Sequence, residues 1–418
     1  MQLALPGLQE ARVESFTFLP DGVIERSLQR RDGSVSATQL RSSADTTGMR
    51  ADAAFDLEWL RSTTRVGAAN SQNVVRIVDL FSGCGGLSVG IGEAARGLGM
   101  HLDAVLANDV DGDVLDVFSL NFPEAEIICA PVETLFDGAC GDQPTPTEIE
   151  LADRLGPIDM LIGGPPCQGH SNVNNHTRHD DPKNELYLVM ARFCEVVRPA
   201  HVIIENVPGV ERDRRRVAQR TWAILEGLGY AVDSGVVDAS HLGVAQRRKR
   251  SITIASLSVE PSVKQAVRSL EVHERSLGWA IADLVDVPPI SHMDQATQPN
   301  SVTKSRIDYL FDNDLYNLPD SERPDCHRLK SHSYNSVYGR MHWDQPSPTL
   351  TTGFGTMGRG RFVHPLRRRT ITPHEAARIQ FFPDFFNFGS GSRTLIQKVI
   401  GNAVPPKLGY ALGVHLLR

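Results

Sequence analysis

The 418-residue chain lacks several things that would each have narrowed its function. It has no run of about 18 apolar residues, so no membrane-spanning helix is expected. The opening stretch MQLALPGLQEARVE has neither a basic start nor a long apolar segment, so no secretory signal is expected there. The six cysteines form no C-x-x-C pair and no dense array, which argues against a disulfide scaffold and for a reducing cytoplasm. Positive charge is not in excess: 43 basic against 50 acidic side chains leave a net −7. That excludes a uniformly basic nucleic-acid coat but not a local basic groove. No internal repeat or coiled-coil heptad is evident. What is present is ordinary, 41% hydrophobic and 22% charged residues, enough for two or three domains with a sizeable core.

Residues 1–73 are polar with little periodicity, apart from a short helical pattern in ADAAFDLEWLRS, and read as an appended region or a partly disordered arm. From Val74 the pattern changes. Strand-like VVRIVDLF, DAVLAND, IDMLIGG and HVIIENV alternate with helical LSVGIGEAARGLG, DVLDVFSLNF, ELYLVMARFCEVV and RRRVAQRTWAILEGLG, and AVDSGVVDA and SITIAS close the series. This predicts an α/β fold, a Rossmann-like doubly wound and mostly parallel sheet over 74–256, with ligands beyond the carboxyl ends of the strands. Over 257–370 the alternation stops and a smaller, irregular domain is expected. Residues 371–418 predict helices returning to the first domain. One is TPHEAARIQ, capped by Thr372 with Glu375 three residues on, and another begins near the prolines of GNAVPPKLGYALGVHLL.

The strand ends carry the chemistry-bearing residues. The first runs into Asp79-Leu-Phe-Ser-Gly83-Cys-Gly85-Gly86, directly before a helix. Glycines there let the backbone bend sharply and approach a ligand. An ordinary βα turn uses them too, and G-x-G-G is not the dinucleotide spacing G-x-G-x-x-G. The second strand ends in Asn108-Asp109-Val110, where an acid commonly holds a ribose hydroxyl pair; turn and acid together point to a nucleoside-containing cofactor. A calcium loop at Asp109–Asp113 is disfavoured by the glycine's offset, and no metal site is expected. The third strand opens into Gly163-Gly-Pro-Pro-Cys167-Gln-Gly-His-Ser171. Two prolines stiffen the approach to Cys167, and the polar stretch after it reads as a loop that closes over a substrate. Glu205 ends the fourth strand, where partial burial favours acid–base work, against the simpler reading of a helix cap. In Gln246-Arg-Arg248-Lys-Arg250, Arg248 and Arg250 alternate onto one face, to orient an acid or touch phosphate, against a solvated charge run. Basic character is local: residues 340–369 hold six arginines against the single acid Asp344.

In this order, from Val74 to the C-terminus, DLFSGCGG, PPCQGHS, ENV, QRRKR, PSPTLTT and GNAVPP resemble the motifs of the cytosine-5 DNA methyltransferases. The resemblance implies the fold of S-adenosylmethionine-dependent methyltransferases, with a target recognition domain in the irregular segment. It implies S-adenosylmethionine as methyl donor, double-stranded DNA as substrate and a cognate restriction endonuclease as partner. Cys167 would add to carbon 6 of a flipped cytosine so that carbon 5 can accept the methyl group. Glu205 would contact the ring nitrogen and amine, and Arg248, with Arg250, would orient the base or Glu205. The cofactor would meet Phe81, Ser82, Gly83, Gly85 and Gly86, with Asp109 on the ribose, Val110 on adenine, Pro165 nearby, and Asn402 and Ala403 from the last motif. One departure stands out: the family's acid for the adenine amine is missing from Ile128-Cys129-Ala-Pro-Val-Glu133. Arg359, Arg361 and Arg367–Arg369 would meet phosphates, while polar side chains of the small domain would read bases. Residues 1–73 have no counterpart in the family's shared core. Two other readings stay open: cytosine-5 methylation of RNA by the same site, and a non-catalytic DNA-binding regulator that keeps the fold.

Overall fold

The computed structural model describes residues 12–42, 46–65, 72–166, 185–328 and 337–418. The strands are β1 (Glu14–Leu19), β2 (Val23–Gln29), β3 (Val35–Arg41), β4 (Val74–Leu80), β5 (His101–Asp109), β6 (Glu126–Cys129), β7 (Met160–Gly163), β8 (His201–Asn206), β9 (Ala231–Asp238) and β10 (Lys249–Ser256). β4 to β10 form one sheet in the order β6-β5-β4-β7-β8-β10-β9. The pairings β4–β5, β5–β6, β4–β7 and β7–β8 are parallel, and β10 runs antiparallel to both its neighbours. Successive side chains of a strand point to opposite faces. Accordingly Val75 and Ile77 join one core cluster while Val78 and Leu80 join the other, and helices cover both faces. This is the expected doubly wound sheet.

The chain order reverses at β4, which has β5 on one side and β7 on the other. Such a switch point opens a crevice at the carboxyl ends of the two strands. Behind it, helix Gly86–Gly97 lies against helix Pro406–Leu417. Glycines set this approach: a Cβ on Gly90 would stand 2.1 Å from the Pro406 carbonyl oxygen, and one on Gly86 would stand 2.3 Å from that of Val404. The last motif is thereby pressed against the first.

Thr372 caps helix Pro373–Ile379 and closes a capping box with Glu375, as the sequence predicts. Helix Arg393–Asn402, strand β6 and helix Pro146–Leu155 add to the predicted elements. Ile307, Leu310, Leu318, Val337, Tyr338, Met357 and Val363 form a small core of their own. Leu270, Leu277 and Ile281, expected in the small domain, pack instead in the large core.

The N-terminal region departs furthest from expectation. Helix Ala51–Arg61 is the expected one, but the described residues before it form the antiparallel sheet β1-β2-β3, and Ile24, Leu28, Phe55, Trp59 and Leu60 belong to the large core. Periodicity concealed this because charged residues occupy inward positions. Along β2 the buried residues are Ile24, Arg26 and Leu28, and Asp52, Asp56 and Glu58 are buried on the helix.

Candidate active site

Sheet register builds the site. Leu80 pairs with Asn108 on one side and Gly163 on the other, and Gly163 pairs with Ile204. One residue further along stand Phe81, Asp109, Gly164 and Glu205, so four of the motifs meet in one row at the carboxyl edge.

On the β4–β5 side the turn is unusual. Phe81, Gly83 and Gly85 have φ of 56°, 54° and 87°. A left-handed phenylalanine costs on the order of 1 kcal/mol and is tolerated where surrounding structure fixes it, commonly at ligand sites. The Gly83 N–H donates to Asp109 Oδ2 at 3.0 Å, and the Asp111 N–H donates to Oδ1 at 3.1 Å. The acid is thus aimed by the glycine turn. Ser82 N–H donates to the Asn108 carbonyl at 3.0 Å. Below the turn, the Ser88 hydroxyl donates to buried Asp79 at 2.6 Å, and burial, with Asp109 nearby, holds the Asp79 carboxyl well above the usual range. Val110 is an apolar side chain 68% exposed at the strand end. Asn108 Nδ2 donates to the carbonyls of Ile128 and Ala130, both at 2.9 Å, so side chain and backbone tie β5 to the segment that lacks the acid. Asn402 is exposed and Ala403 buried beside the Val404 carbonyl that closes on Gly86.

On the β7–β8 side, Glu205 is largely buried and its Oε1 lies 2.6 Å from Arg250 Nε. Its Oε2 lies close to the backbone at Gly164, where a Cβ would be 3.2 Å away. Asn206 Nδ2 donates to the Pro165 carbonyl at 3.1 Å, tying the end of β8 to the loop leaving β7. Cys167, with the loop expected to close over substrate, lies outside the described residues. Cys84, in the glycine turn, is buried, and burial pushes its thiol up to about 12, which marks it as structural.

Arg248 corrects one expectation. It is 1% exposed, inside the fold. Its guanidinium donates to the carbonyls of Leu350, Gly401 and Ala403 at 2.9, 3.0 and 3.0 Å. Burial and three carbonyl acceptors make it a staple joining the PSPTLTT and GNAVPP segments, while Arg250 pairs with the glutamate. Gln246 works alongside it: its Oε1 accepts the Leu350 N–H and its Nε2 donates to Gln380 Oε1, each at 2.8 Å, and Gln380 Nε2 donates to the Ile400 carbonyl at 2.7 Å. Gln380 escaped sequence reading, because a single amide beside an apolar run carries no local signal, and Asn206, quoted within ENV, was given no role of its own there.

The arginines expected on phosphates are mostly engaged within the chain. Arg361 donates to the carbonyls of Tyr316 and Arg340, Arg367 pairs with Asp286, Arg368 with Asp308 and Asp312, and Arg369 with Glu375. Arg359 is exposed.

Numbered from β4, the strand order is 3-2-1-4-5-7-6 with the seventh strand reversed, and this, with the glycine turn and its acid at the switch point, defines the methyltransferase class of doubly wound fold. Comparison narrows the class. The C-5 cytosine-specific DNA methylase family matches residues 75–418, and the chain belongs to that family. It is 43% identical to the type II methyltransferase M1.BsuMI of Bacillus subtilis, over 100% of this chain and 98% of the relative. It is 27% identical to the type II methyltransferase M.DdeI of Desulfomicrobium norvegicum, over 82% of this chain and 88% of the relative. Among solved structures, the Dnmt2 methyltransferase of Schizosaccharomyces pombe superposes with a TM-score of 0.58 at 18% identity, covering 82% of this chain and 98% of that one. That likeness is one of fold.

Proposed function

We propose that this DNA cytosine-5 methyltransferase modifies one short sequence in duplex DNA, with S-adenosylmethionine as donor and a transient bond between Cys167 and carbon 6 of the target base. The observation that carries the reading is the shared row at the sheet edge. It sets a backbone-aimed acid, Asp109, three strands along from a Glu205–Arg250 pair 2.6 Å apart.

The β4–β5 half fits the cofactor. Asp109, fixed by two N–H groups, keeps lone pairs for a ribose diol, and exposed Val110 offers an apolar face to adenine. Phe81, Ser82, Gly83, Gly85 and Gly86 form the turn, with Pro165, Asn402 and Ala403 closing from the other side. When bound, S-adenosylmethionine supplies an electrophilic methyl group.

The remaining chemistry belongs to the chain. Cytosine carbon 5 is a weak nucleophile. The Cys167 thiolate adds to carbon 6, and the electron pair displaced from the 5,6 double bond makes carbon 5 nucleophilic. Glu205, held by Arg250, hydrogen-bonds the ring nitrogen and exocyclic amine, stabilising the adduct as it forms and selecting cytosine. After methyl transfer, the carbon-5 proton leaves to a base, the carbon 6–sulfur bond breaks, and the thiolate is restored. The target atom is inaccessible within a duplex, so the base is flipped out of the stack. The type II names of both bacterial relatives support a modification role beside a restriction endonuclease.

A duplex carrying 5-fluorocytosine tests the reading, because fluorine cannot leave as the proton does. With the full chain and S-adenosylmethionine, a complex stable to denaturant is expected, and Cys167→Ala should form none. Trapping by Cys167→Ala, or capture of RNA but not of duplex DNA, would contradict the proposal.

A further inference from the structure

The N-terminal sheet and helix meet the rest of the chain at a buried junction that the chemistry above does not use. Asp56, on helix Ala51–Arg61, is 3% exposed. Its Oδ1 accepts from Lys407 Nζ at 2.8 Å, and its Oδ2 pairs with Arg275. Burial pushes the Asp56 carboxyl up, but the two cations outweigh it and hold the group below the usual range, so it is charged. The Lys407 ammonium also lies over Tyr410 and Phe381, 5.0 and 5.4 Å from the ring centroids. Tyr410 donates to Glu14 of β1. Arg26 of β2 pairs with Glu93 of helix Gly86–Gly97 at 2.7 Å, between the rings of Phe55 and Tyr410. Trp59 stacks on Phe381 with centroids 5.6 Å apart, and the Leu60 carbonyl accepts the Asp384 N–H at 2.8 Å.

These grips land on Glu93, Arg275, Phe381–Asp384 and Lys407–Tyr410, and the last two stretches sit against the final motif. Lys407 follows Asn402–Pro406, the segment pressed onto Gly86 and Gly90. Gln380, next to Phe381, holds the Ile400 carbonyl. Buried charge is a poor adhesive, since a well-packed apolar contact of the same volume is commonly as stable or more so. What an ion pair adds is direction: it fixes the Lys407 ammonium at one point, and with it the backbone just before. The family match begins at residue 75, outside the N-terminal module, whereas the alignment with the Bacillus subtilis relative spans it.

We infer that residues 12–42 and 46–61 brace the cofactor site, and that Asp56 is a positioning residue that sets Asn402 and Ala403 through Lys407. The inference rests on the proposed reading that Asn402 and Ala403 line that site. The test is calorimetric binding of S-adenosylmethionine to the full chain, with KM and kcat for duplex DNA methylation measured alongside. Asp56→Asn keeps the shape and removes the charge. It should weaken cofactor binding about tenfold, within the range by which residues remote from a ligand shift its affinity, and leave kcat at saturating cofactor within about twofold. Phe16→Leu, on β1 and packed on Phe55 with centroids 5.4 Å apart, makes no charge change and controls for general loosening. At a comparable drop in melting temperature it should leave cofactor affinity unchanged. Equal weakening by both variants would overturn the inference. If Asn402→Ala weakens binding and Asp56→Asn does not, the brace falls and the cofactor reading stands. If neither weakens it, the placement of the cofactor falls first. Should Asp56→Asn fail to fold, Lys407→Arg keeps the charge, moves its point of attachment, and carries the same expectations.

Discussion

The carboxyl edge of the large sheet and the N-terminal module are both built around buried or half-buried charge, yet only the first is written in local sequence. At the edge, Asp109 ends β5, Glu205 is next to last in β8 and Arg250 is second in β10, with Gly112 and Pro208 each three residues past the acids. In the module, the partners are single residues far apart: Glu14 with Tyr410, Arg26 with Glu93, Asp56 with Lys407. A site assembled from strand ends needs only the sheet to form. A brace needs the whole chain folded around it.

The largest effect that sharpens this contrast lies at the edge. Glu205→Gln should slow methyl transfer by about 10²–10⁴-fold, the usual range for a positioned acid–base group. Arg250→Met should follow in the same direction with a smaller loss, and single-turnover kinetics on duplex DNA would read both. Melting temperatures should hardly move, since both side chains lie at the rim of the sheet. An unchanged rate in Glu205→Gln would remove it from its role.

The next effect lies in the module and has the opposite profile. Trp59→Ala removes a ring stacked on Phe381 and edge-on to Phe385. It should destabilise the protein by about 3–5 kcal/mol, as deletion of a buried aromatic does. Urea unfolding followed by tryptophan-independent circular dichroism would measure it. Loss of one early, separate transition, with the main one unmoved, would mean the module is an appendage after all.

Most of the fold was legible from Val74 onward because apolar strands alternate with amphipathic helices, and the glycine, proline and acid positions at strand ends pointed to the candidate site. What escaped had physical causes. Strand β2 places an arginine where the alternating pattern demands an apolar residue, and helix Ala51–Arg61 buries three acids. The pair Arg248 and Arg250 shows the limit of pattern reading. The motif spacing allowed both to face the glutamate, but Arg248 precedes the first residue of β10 and its guanidinium is taken by three carbonyls from 102 to 155 residues away.

That difference gives a third prediction. Arg248→Met leaves three buried carbonyls without their donor, each worth about 1–3 kcal/mol when orphaned. Denaturant titration should show a loss of about 3 kcal/mol, against almost none for Arg250→Met. Equal losses would erase the distinction between staple and site arginine.

The smallest effect concerns pH. His374 lies between Asp294 and Asp384, at 2.8 and 3.0 Å. Burial lowers its pKa, but Asp384 and Asp294 together raise it above the ordinary histidine value. A raised folded pKa means that the ion pair's stabilisation is fully present below about pH 6.5 and is lost as pH rises through the folded value. Melting temperature should therefore fall by a few degrees over that window, and His374→Asn should flatten the dependence. A stability that rises with pH there, and does so only when His374 is present, would reverse the assignment.

The central claim is that the row at the sheet edge, with Cys167, methylates cytosine in DNA. The most direct measurement is base-resolution cytosine methylation of genomic DNA from a methylation-free host expressing the full chain, with Cys167→Ala expressed to the same level as control. The account predicts 5-methylcytosine at one short sequence motif and none in the control. An unmethylated genome in cells that contain folded protein, or the same marks laid down by Cys167→Ala, would contradict it.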